Sequence, residues 1–333
     1  MMKVVSIGAG TGQSNLLKSM KKHLVDIDLS AIVSVTDDGG HSGRLRRDLR
    51  DKGIPAPQIG DGRNCLIGLA RNKEIASYFK VLPTGENSAN TFIAGLLSHG
   101  CTLTEAFKIF GELVDAAGRV YPATDEDVEI VAAFRGDELV VGEWKIMEYN
   151  HTKELERLRL SSPVQANSEA LKTLDQADYI IIGPGSFRTG IISALLPKGI
   201  KEKIMGSRAT KVFVCNLFSQ PGQTDGLTQV EYVNELIRYM GCLPNVILVN
   251  NMLIPDLVIE HYHQIKSYPI EDGNLDSLEC RIVRTDLIPK LEDIQRTTPK
   301  QERIGTFKKW THLLTHEREK LAMAIKSIIN SDI

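Results

Sequence analysis

The chain has 333 residues, of which 42% are hydrophobic, and a formal net charge of −2 at pH 7. This length allows one large α/β domain or two smaller ones, and the near-neutral charge with dispersed basic residues argues against a nucleic-acid-binding protein. No apolar run is long enough to cross a bilayer, and we expect no secretory leader. Five cysteines without CxxC spacing indicate reduced thiols and a cytoplasmic location.

The first predicted strand, Val4–Ile7, ends on a glycine-rich turn that leads directly into a helical pattern. The candidate phosphate-binding residues in this turn are Gly8, Gly10, Thr11 and Gly12. Glycines let the backbone approach a ligand closely, and a helix start offers free N–H groups to an anion. An ordinary tight turn is the alternative. Gln13 stands where the dinucleotide fingerprint requires a third glycine, so NAD or another dinucleotide is a weaker prediction than phosphate.

Two adjacent carboxylates follow the second predicted strand, Leu29–Val35. Asp37 and Asp38 precede Gly39, and in a doubly wound sheet an acidic residue at this place can hold a ribose hydroxyl. The pair can instead hold a hydrated Mg²⁺ that bridges phosphates, and Asp and Gly also favour a simple capped turn. Because ten residues here contain two Asp, three Gly and two Arg, we favour a functional site.

The same stretch continues into a basic helical segment. Ser42 and Arg44 are candidate ligand contacts. Arg44 and Arg47 fall one helical turn apart and can face an anion. We expect Arg46 and Arg50 to be solvated instead.

Polar residues also stand at the starts of later predicted helices. In Ile59–Cys65, Asp61 can cap the helix that follows, and Asn64 and Arg63 can equally contact a ligand. Asn90 opens the next helix and has the same two interpretations. Both asparagines are therefore candidate ligand contacts.

The chain then departs from the βα rhythm and returns to it. Residues 128–134 and 139–149 predict a β-hairpin around Gly136-Asp137. Later strands are predicted at 179–182, 211–215 and 246–249. The loops that follow these strands contribute the candidate ligand residues Gly185, Ser186, Asn216, Gln220 and Asp225. Because ligands of open α/β sheets bind at the carboxyl ends of the strands, we expect the separate loops to converge on one site.

These motifs together resemble the bacterial gluconeogenesis-factor family, also described as UDP-sugar-binding morphogenesis factors and distantly related to 2-phospho-L-lactate transferase. The matching stretches, in chain order, are Gly8–Gly12, Asp37–Arg46, Gly60–Leu66, Gly183–Ser186, Cys215-Asn216 and Gln220–Gly226. The chain departs from the family at His41 and Arg188, where a serine and a tyrosine are usual. Several long motifs in the right order make the resemblance specific.

The resemblance implies an α/β fold, a Rossmann-like three-layer sandwich with a mainly parallel sheet and a β-hairpin insertion, like 2-phospho-L-lactate transferase. We expect a single CofD-like domain over residues 1–333, with the insertion at about 125–150. The implied function is nucleotide-sugar binding, with UDP-N-acetylglucosamine first, to regulate gluconeogenic growth, cell-envelope precursor supply and cell shape. The family's late tyrosine helps hold the UDP-sugar. Tyr262 is the candidate here, although the residue alone indicates a surface aromatic.

The rival prediction is an enzyme, a Mg²⁺-dependent transferase that moves a phospho-containing group from a nucleoside diphosphate. In the nucleotide-sugar-binding prediction, Gly10, Thr11, Gly12 and Ser186 would cradle phosphates, and Asn64 and Asn216 would hydrogen-bond the ligand. No residue is marked out as an acceptor base, and His41 is a weak candidate because the family uses serine there. Mg²⁺ is the cofactor to test. A regulatory protein partner and a homo-oligomer stay open.

Overall fold

The computed structural model describes residues 1–24, 26–79, 81–136, 138–148, 155–290, 292–294 and 314–331. Elements are numbered in chain order. The large sheet contains β1 (Met2–Gly8), β2 (Ile27–Val33), β3 (Arg119–Pro122), β7 (Tyr179–Ile182), β8 (Thr210–Val214), β9 (Val246–Asn250) and β10 (Arg281–Thr285). A smaller sheet contains β4 (Ile130–Phe134), β5 (Glu138–Val141) and β6 (Leu155–Leu160).

The helices connect these strands and cover the large sheet. The first seven are α1 (Gly10–His23), α2 (Gly40–Arg50), α3 (Gly60–Leu69), α4 (Lys73–Tyr78), α5 (Ser88–Ser98), α6 (Leu103–Leu113) and α7 (Glu143–Glu148). The later ones are α8 (Ser168–Asp175), α9 (Ser193–Leu195), α10 (Ile200–Gly206), α11 (Gln229–Met240), α12 (Asp256–Gln264) and α13 (Arg318–Ser331). A π-helical segment, Phe187–Ile192, runs directly into α9.

The strand order of the large sheet creates one topological switch point. The order is β10-β9-β8-β7-β1-β2-β3, and every recorded pairing is parallel. From β1 the chain moves outward through β2 to β3, then returns to β7 on the other side of β1. Loops after β1 and β7 therefore leave the sheet in opposite directions, which opens a crevice at its carboxyl edge.

Consecutive apolar residues of a central strand point to opposite faces of the sheet, and this explains the three layers. In β1, Val4 joins one core cluster and Val5 the other, and in β7 Ile181 and Ile180 divide in the same way. One cluster contains the apolar faces of α1, α3 and α6, and the second contains those of α8 and α11. Strands buried on both faces read as continuous apolar runs, which is why these two were recognisable. The predicted α/β fold with a mainly parallel sheet is confirmed.

The insertion differs from its prediction. Strand β5 ends at Val141, and the continuation predicted to residue 149 is wrong: Glu143–Glu148 is helix α7. Gly142 has a φ of 99° and donates its N–H to the Ile130 carbonyl, which ends the strand. Strand β6 pairs antiparallel with β4 and was not predicted. Asp137 of the predicted turn and Tyr149 lie outside the described residues.

Two further strands, β3 and β10, were not predicted because they are short and only partly buried. Two of the four residues of β3 and none of the five residues of β10 are buried. Among the described residues, no helix is both long and apolar enough to span a membrane. The expected division into a single domain stays a prediction.

Candidate functional site

The two glycine loops at the switch point lie against each other. A Cβ on Gly12 would lie 2.6 Å from the Pro184 carbonyl oxygen, and one on Gly185 would lie 2.7 Å from the Ala9 carbonyl oxygen. Gly12 belongs to the first turn of α1 and Gly185 to the loop after β7. Glycine is therefore required at both places by close approach of backbone to backbone.

The N-terminus of α1 faces the crevice without a side-chain cap. Ala9 precedes the helix in an extended conformation, and Gly10 adopts a φ of 65°. The Gly10 N–H donates to the Asp61 carboxyl group. Within the described chain, the Thr11 and Gly12 N–H groups have no protein acceptor, and Thr11 is exposed. Free N–H groups and the positive end of the helix dipole suit an anionic ligand.

Gln13 explains why this turn departs from the dinucleotide fingerprint. Its side chain is fully buried, and its amide donates to the Ser6 and Ile32 carbonyl oxygens at 3.2 and 3.1 Å. The Gln13 amide oxygen accepts the Cys65 thiol at 3.7 Å. The residue at the fingerprint's third glycine position thus ties β1, β2 and α3 together beneath the loop.

Three carboxylates meet beside this helix start. Oxygen atoms of Asp37, Asp38 and Glu143 all lie within 4.8 Å of one another. The first two follow β2, as predicted, whereas Glu143 comes from α7 of the insertion. The Trp144 N–H donates to Asp38 Oδ1 at 2.8 Å, which places the insertion directly over the acidic pair.

Both carboxylate oxygens of Asp37 accept a hydrogen bond from the protein. Its Oδ1 accepts the Gly39 N–H at 2.8 Å, and its Oδ2 accepts the Gln58 amide at 2.7 Å. The first contact is the capped turn that the sequence allowed. The second ties the acidic turn to the segment that precedes α3.

Burial and mutual repulsion raise the pKa of several carboxyl groups here. For Glu143, burial and then the charge of Asp37 raise the pKa well above its ordinary value. For Asp38, burial raises the pKa, although the Trp144 N–H opposes the shift. Asp61, 7% exposed, has its pKa raised to about 7 by burial and then by Asp37. None of these four carboxyl groups forms an ion pair with a described residue.

The donor set of the cluster fits a hard divalent cation. Mg²⁺ prefers carboxylate oxygens and is often held by one or two carboxylates together with substrate phosphates. Asp37, Asp38 and Glu143 would supply those oxygens, and the open α1 N-terminus lies nearby through the Gly10–Asp61 contact. A bound cation would offset the repulsion that raises these pKa values.

The loop after β7 is held by amide side chains. The Gln220 amide oxygen accepts the Phe187 N–H at 2.7 Å, and that of Gln223 accepts the Thr189 N–H at 3.2 Å. The Asn216 amide donates to the Gly185 carbonyl at 2.9 Å. Two of these contacts use N–H groups at the start of the π-helical segment and the third uses a carbonyl of the loop, so the three amide side chains fix the path of this backbone.

A network of buried polar groups joins α2, α3 and α5. Asn90, 1% exposed, donates to Ser42 Oγ at 3.1 Å and accepts the Arg63 guanidinium at 3.0 Å. The Asn64 carbonyl accepts the Ser14 hydroxyl at 2.8 Å, which links α3 to α1. The ligand contacts predicted for Ser42, Asn64 and Asn90 stay predictions.

The arginines of α2 differ in burial and pairing, and not in the way predicted. The prediction that Arg46 is solvated is wrong, because it is 3% exposed and binds Asp127 at 2.7 Å. Arg50 also binds Asp127, at 2.6 Å, but 33% of its side chain stays exposed. They tie α2 to the segment before β4. Arg44 and Arg47 are exposed and pair with no described carboxylate, and they line a cavity of about 310 Å³.

His41 lines the same cavity but is held as a neutral acceptor. Its Nδ1 accepts the Asn87 N–H at 3.2 Å. Burial, and then the charge of Arg44, lower the pKa of His41. The ring is therefore occupied in positioning the start of α5.

Comparison with known proteins decides the family. The model of the family described as 2-phospho-L-lactate transferase CofD matches residues 4–288. The chain belongs to the CofD family.

Its relatives within the family carry a gluconeogenesis-factor name. The "Gluconeogenesis factor" of Bacillus subtilis is 32% identical over 305 residues, which are 88% of this chain and 93% of that protein. A Thermotoga maritima relative with such a name is 37% identical over 269 residues, 79% of this chain and 83% of that one. A crystal structure of a UPF0052 family member from Bacillus halodurans matches with a TM-score of 0.84 at 28% identity, covering 98% and 99% of the two chains. The predicted family resemblance is confirmed.

Two predicted residues of this CofD-family chain are occupied by internal contacts. Tyr262 is not a surface aromatic: it is 4% exposed, stacks on Phe218 at 3.9 Å and donates its hydroxyl to the Leu314 carbonyl. Asp225 accepts the Gly222 N–H at 2.7 Å and shapes its own turn. Ligand contact by either residue stays a prediction.

Arg188, the departure from the family tyrosine, is engaged in an ion pair with α11. Its guanidinium binds Glu235 of α11 through two hydrogen bonds of 2.7 and 2.9 Å. Both side chains are at most 15% exposed. The substitution therefore secures the helix that covers one face of the sheet.

Sequence reasoning missed four polar residues around the crevice: Gln58, Asp61, Glu143 and Thr189. Asp61 was considered only as a helix cap, although it stands in a glycine-rich motif. Glu143 could not be found because the predicted hairpin placed it in a strand. Its one signal was Gly142, since a glycine beside an acidic residue can mark a turn at which a side chain is redirected.

Proposed function

We propose that the protein binds a nucleotide sugar, with UDP-N-acetylglucosamine as the first candidate, as a regulatory factor. The observation that carries this proposal is the open N-terminus of α1, whose Thr11 and Gly12 N–H groups lie at the sheet switch point beside a carboxylate cluster. Such N–H groups suit a diphosphate, and carboxylates suit ribose hydroxyls or a phosphate-bridging Mg²⁺.

In this proposal the residues on each side of the crevice contact a different part of the ligand. The Gly10–Gly12 turn receives phosphate oxygens. Asp37, Asp38 and Glu143 hold Mg²⁺, which would neutralise phosphate charge when bound. Ser186 adds a hydroxyl from the loop after β7. The gluconeogenesis-factor names of the relatives support a role in gluconeogenic growth, and we extend it to cell-envelope precursor supply and cell shape.

Titration calorimetry with UDP-N-acetylglucosamine and Mg²⁺ tests the binding. Because one charge-assisted hydrogen bond is worth roughly 1.5–3 kcal/mol, Asp37→Asn with Asp38→Asn should weaken binding at least about tenfold. The matched control is Asp115→Asn, since Asp115 is exposed and its φ of 48° is one that Asn tolerates. An unchanged affinity in the double variant would mean that the pair only shapes its turn.

The second candidate is a transferase, and one observation favours it. Asp61 is a buried carboxyl group with a pKa of about 7 beside the α1 N-terminus, which suits a general base at neutral pH. The family model that the chain matches also has a transferase as its description. Incubation with UDP-N-acetylglucosamine or a GDP-activated phospholactate, Mg²⁺ and candidate acceptors, followed by chromatography, separates the two. Nucleotide release that disappears in Asp61→Asn would establish the enzyme.

A further inference from the structure

Thr189 lies between the two sides of the crevice. It is 1% exposed and belongs to the π-helical segment after the Gly183–Ser186 loop. Its Oγ1 lies 2.7 Å from the Ser186 hydroxyl oxygen. The same side chain hydrogen-bonds the Glu143 carboxyl group. A single hydroxyl therefore contacts one residue from the insertion and one from the loop after β7.

Both ends of this connection belong to the proposed ligand site. Glu143 is hydrogen-bonded to Asp37 and lies within the carboxylate cluster. Ser186 also contacts the Gln223 amide, 3.3 Å from its amide oxygen. A hydroxyl can donate one hydrogen bond while it accepts another, so Thr189 can donate to the Glu143 carboxylate and accept from Ser186.

The backbone of Thr189 is fixed from two further directions. Its N–H donates to Gln223 Oε1 at 3.2 Å, and its carbonyl accepts the Thr36 hydroxyl at 3.5 Å. The Thr36 hydroxyl lies 2.6 Å from that of Ser193, below the crevice. The Thr189 backbone is thus fixed, so a displacement of Glu143 would act on the orientation of the Thr189 hydroxyl and, through it, on Ser186.

We propose that Thr189 is a positioning residue that couples the carboxylate cluster to the Gly183–Ser186 loop, so that a divalent cation and a diphosphate ligand bind cooperatively. This inference rests on the proposed function. A cation that draws Glu143 toward Asp37 and Asp38 fixes the Thr189 hydroxyl, which in turn fixes Ser186 for the phosphate. By reciprocity, a bound diphosphate raises the affinity for the cation.

The test measures the affinity for UDP-N-acetylglucosamine by calorimetry with and without saturating Mg²⁺. In the wild type, Mg²⁺ should raise the affinity on the order of tenfold. Thr189→Val keeps the shape and removes the hydroxyl, so the Mg²⁺ effect should fall below about twofold, whereas Thr189→Ser should retain it. Thr173→Val is the matched control, because, among the described residues, the Thr173 hydroxyl bonds only the Glu169 carbonyl of its own helix.

Thermal denaturation of each variant shows whether it folds. If Thr189→Val does not fold, Ser186→Ala removes the other end of the same hydrogen bond and should also reduce the Mg²⁺ effect. A Mg²⁺ effect equal to that of the wild type in the folded variant overturns the coupling and leaves the binding proposal intact. Failure of the wild type to bind the nucleotide sugar at all overturns the proposed function itself, and the coupling with it.

Discussion

The two sides of the crevice are built on opposite electrostatic principles. We call Asn216, Gln220 and Gln223 the amide side and Asp37, Asp38, Asp61 and Glu143 the carboxylate side. On the amide side, side-chain amides bind the backbone of the loop after β7, and the adjacent Arg188 is matched by Glu235. On the carboxylate side, acidic groups lie close together, and burial and mutual repulsion raise the pKa values of Asp38, Asp61 and Glu143.

The difference separates scaffold from ligand site. Polar groups that satisfy one another contribute to folding and need no ligand. Buried carboxyl groups that form no ion pair with a described residue cost stability, and such groups concentrate where ligands are bound. The amide side therefore sets the geometry of the crevice, and the carboxylate side supplies its reactivity toward cations and hydroxyls. Removing a charge should have opposite effects on stability at the two sides.

The largest effect is expected beside the amide side. Glu235→Gln leaves the Arg188 guanidinium, 15% exposed, without its counter-ion. Breaking a buried pair from one side typically costs about 3–5 kcal/mol, so the free energy of unfolding should fall by that amount in urea denaturation. Glu169→Gln, which disrupts the exposed pair with Lys172, is the control and should cost less than about 1 kcal/mol. Equal costs for the two substitutions would contradict the distinction.

On the carboxylate side, removing a charge should stabilise the protein. The pKa of Asp61 is about 7 when folded, above its ordinary value of 3.8, so the folded state holds a proton that the unfolded state releases. Its contribution is fully present below about pH 4 and is lost as the pH rises through 7. Asp61→Asn should therefore raise the free energy of unfolding by about 4 kcal/mol at pH 8 and leave it nearly unchanged at pH 4.

Urea denaturation of wild type and variant across this pH range measures that difference. Subtracting the two curves removes the other titrating groups, including Asp127, whose lowered pKa acts in the opposite direction. A variant that is destabilised at pH 8 would show instead that the Asp61 carboxylate is a net stabilising partner of the Gly10 N–H.

The strands and loops of the scaffold could be predicted from the sequence more completely than the contacts of the candidate site. Apolar runs such as Val4–Ile7, and glycines at their ends, predict the parallel strands and the loops between them because burial and backbone freedom are local properties. Contacts that depend on tertiary packing were missed. The pattern of α2 does not show that Arg46 meets Asp127, and nothing beside Glu143 shows that the insertion folds back onto Asp38.

The same limit applies to the hydrogen-bonding side chains. Gln223 and Gln220 were recognised as a motif, but their contact with the start of the π-helical segment requires β7 and β8 to be neighbours. Tyr262 was judged by its polar sequence neighbours, whereas its burial follows from stacking on Phe218. The tertiary fold therefore decides which polar groups form internal hydrogen bonds and which stay free.

The smallest effect is expected at the seam where the two glycine loops touch. Gly12→Ala adds a Cβ that would lie 2.6 Å from the Pro184 carbonyl oxygen and 2.9 Å from the Gly185 Cα, so the backbone must shift. Overpacking of this kind costs about 1–3 kcal/mol, from which the helix preference of Ala over Gly, about 1 kcal/mol, is recovered. The net loss in the free energy of unfolding should be up to about 2 kcal/mol.

Gly95→Ala in α5 provides the matched comparison for this seam, because nothing lies within 4 Å of a Cβ built there. It should gain about 0.5–1 kcal/mol from helix preference alone. Opposite signs for the two glycine substitutions in urea denaturation would show that Gly12 is fixed by the approach of the Gly183–Ser186 loop. A gain for Gly12→Ala as well would mean that the loops can separate without cost, and the amide side would then not set the width of the crevice.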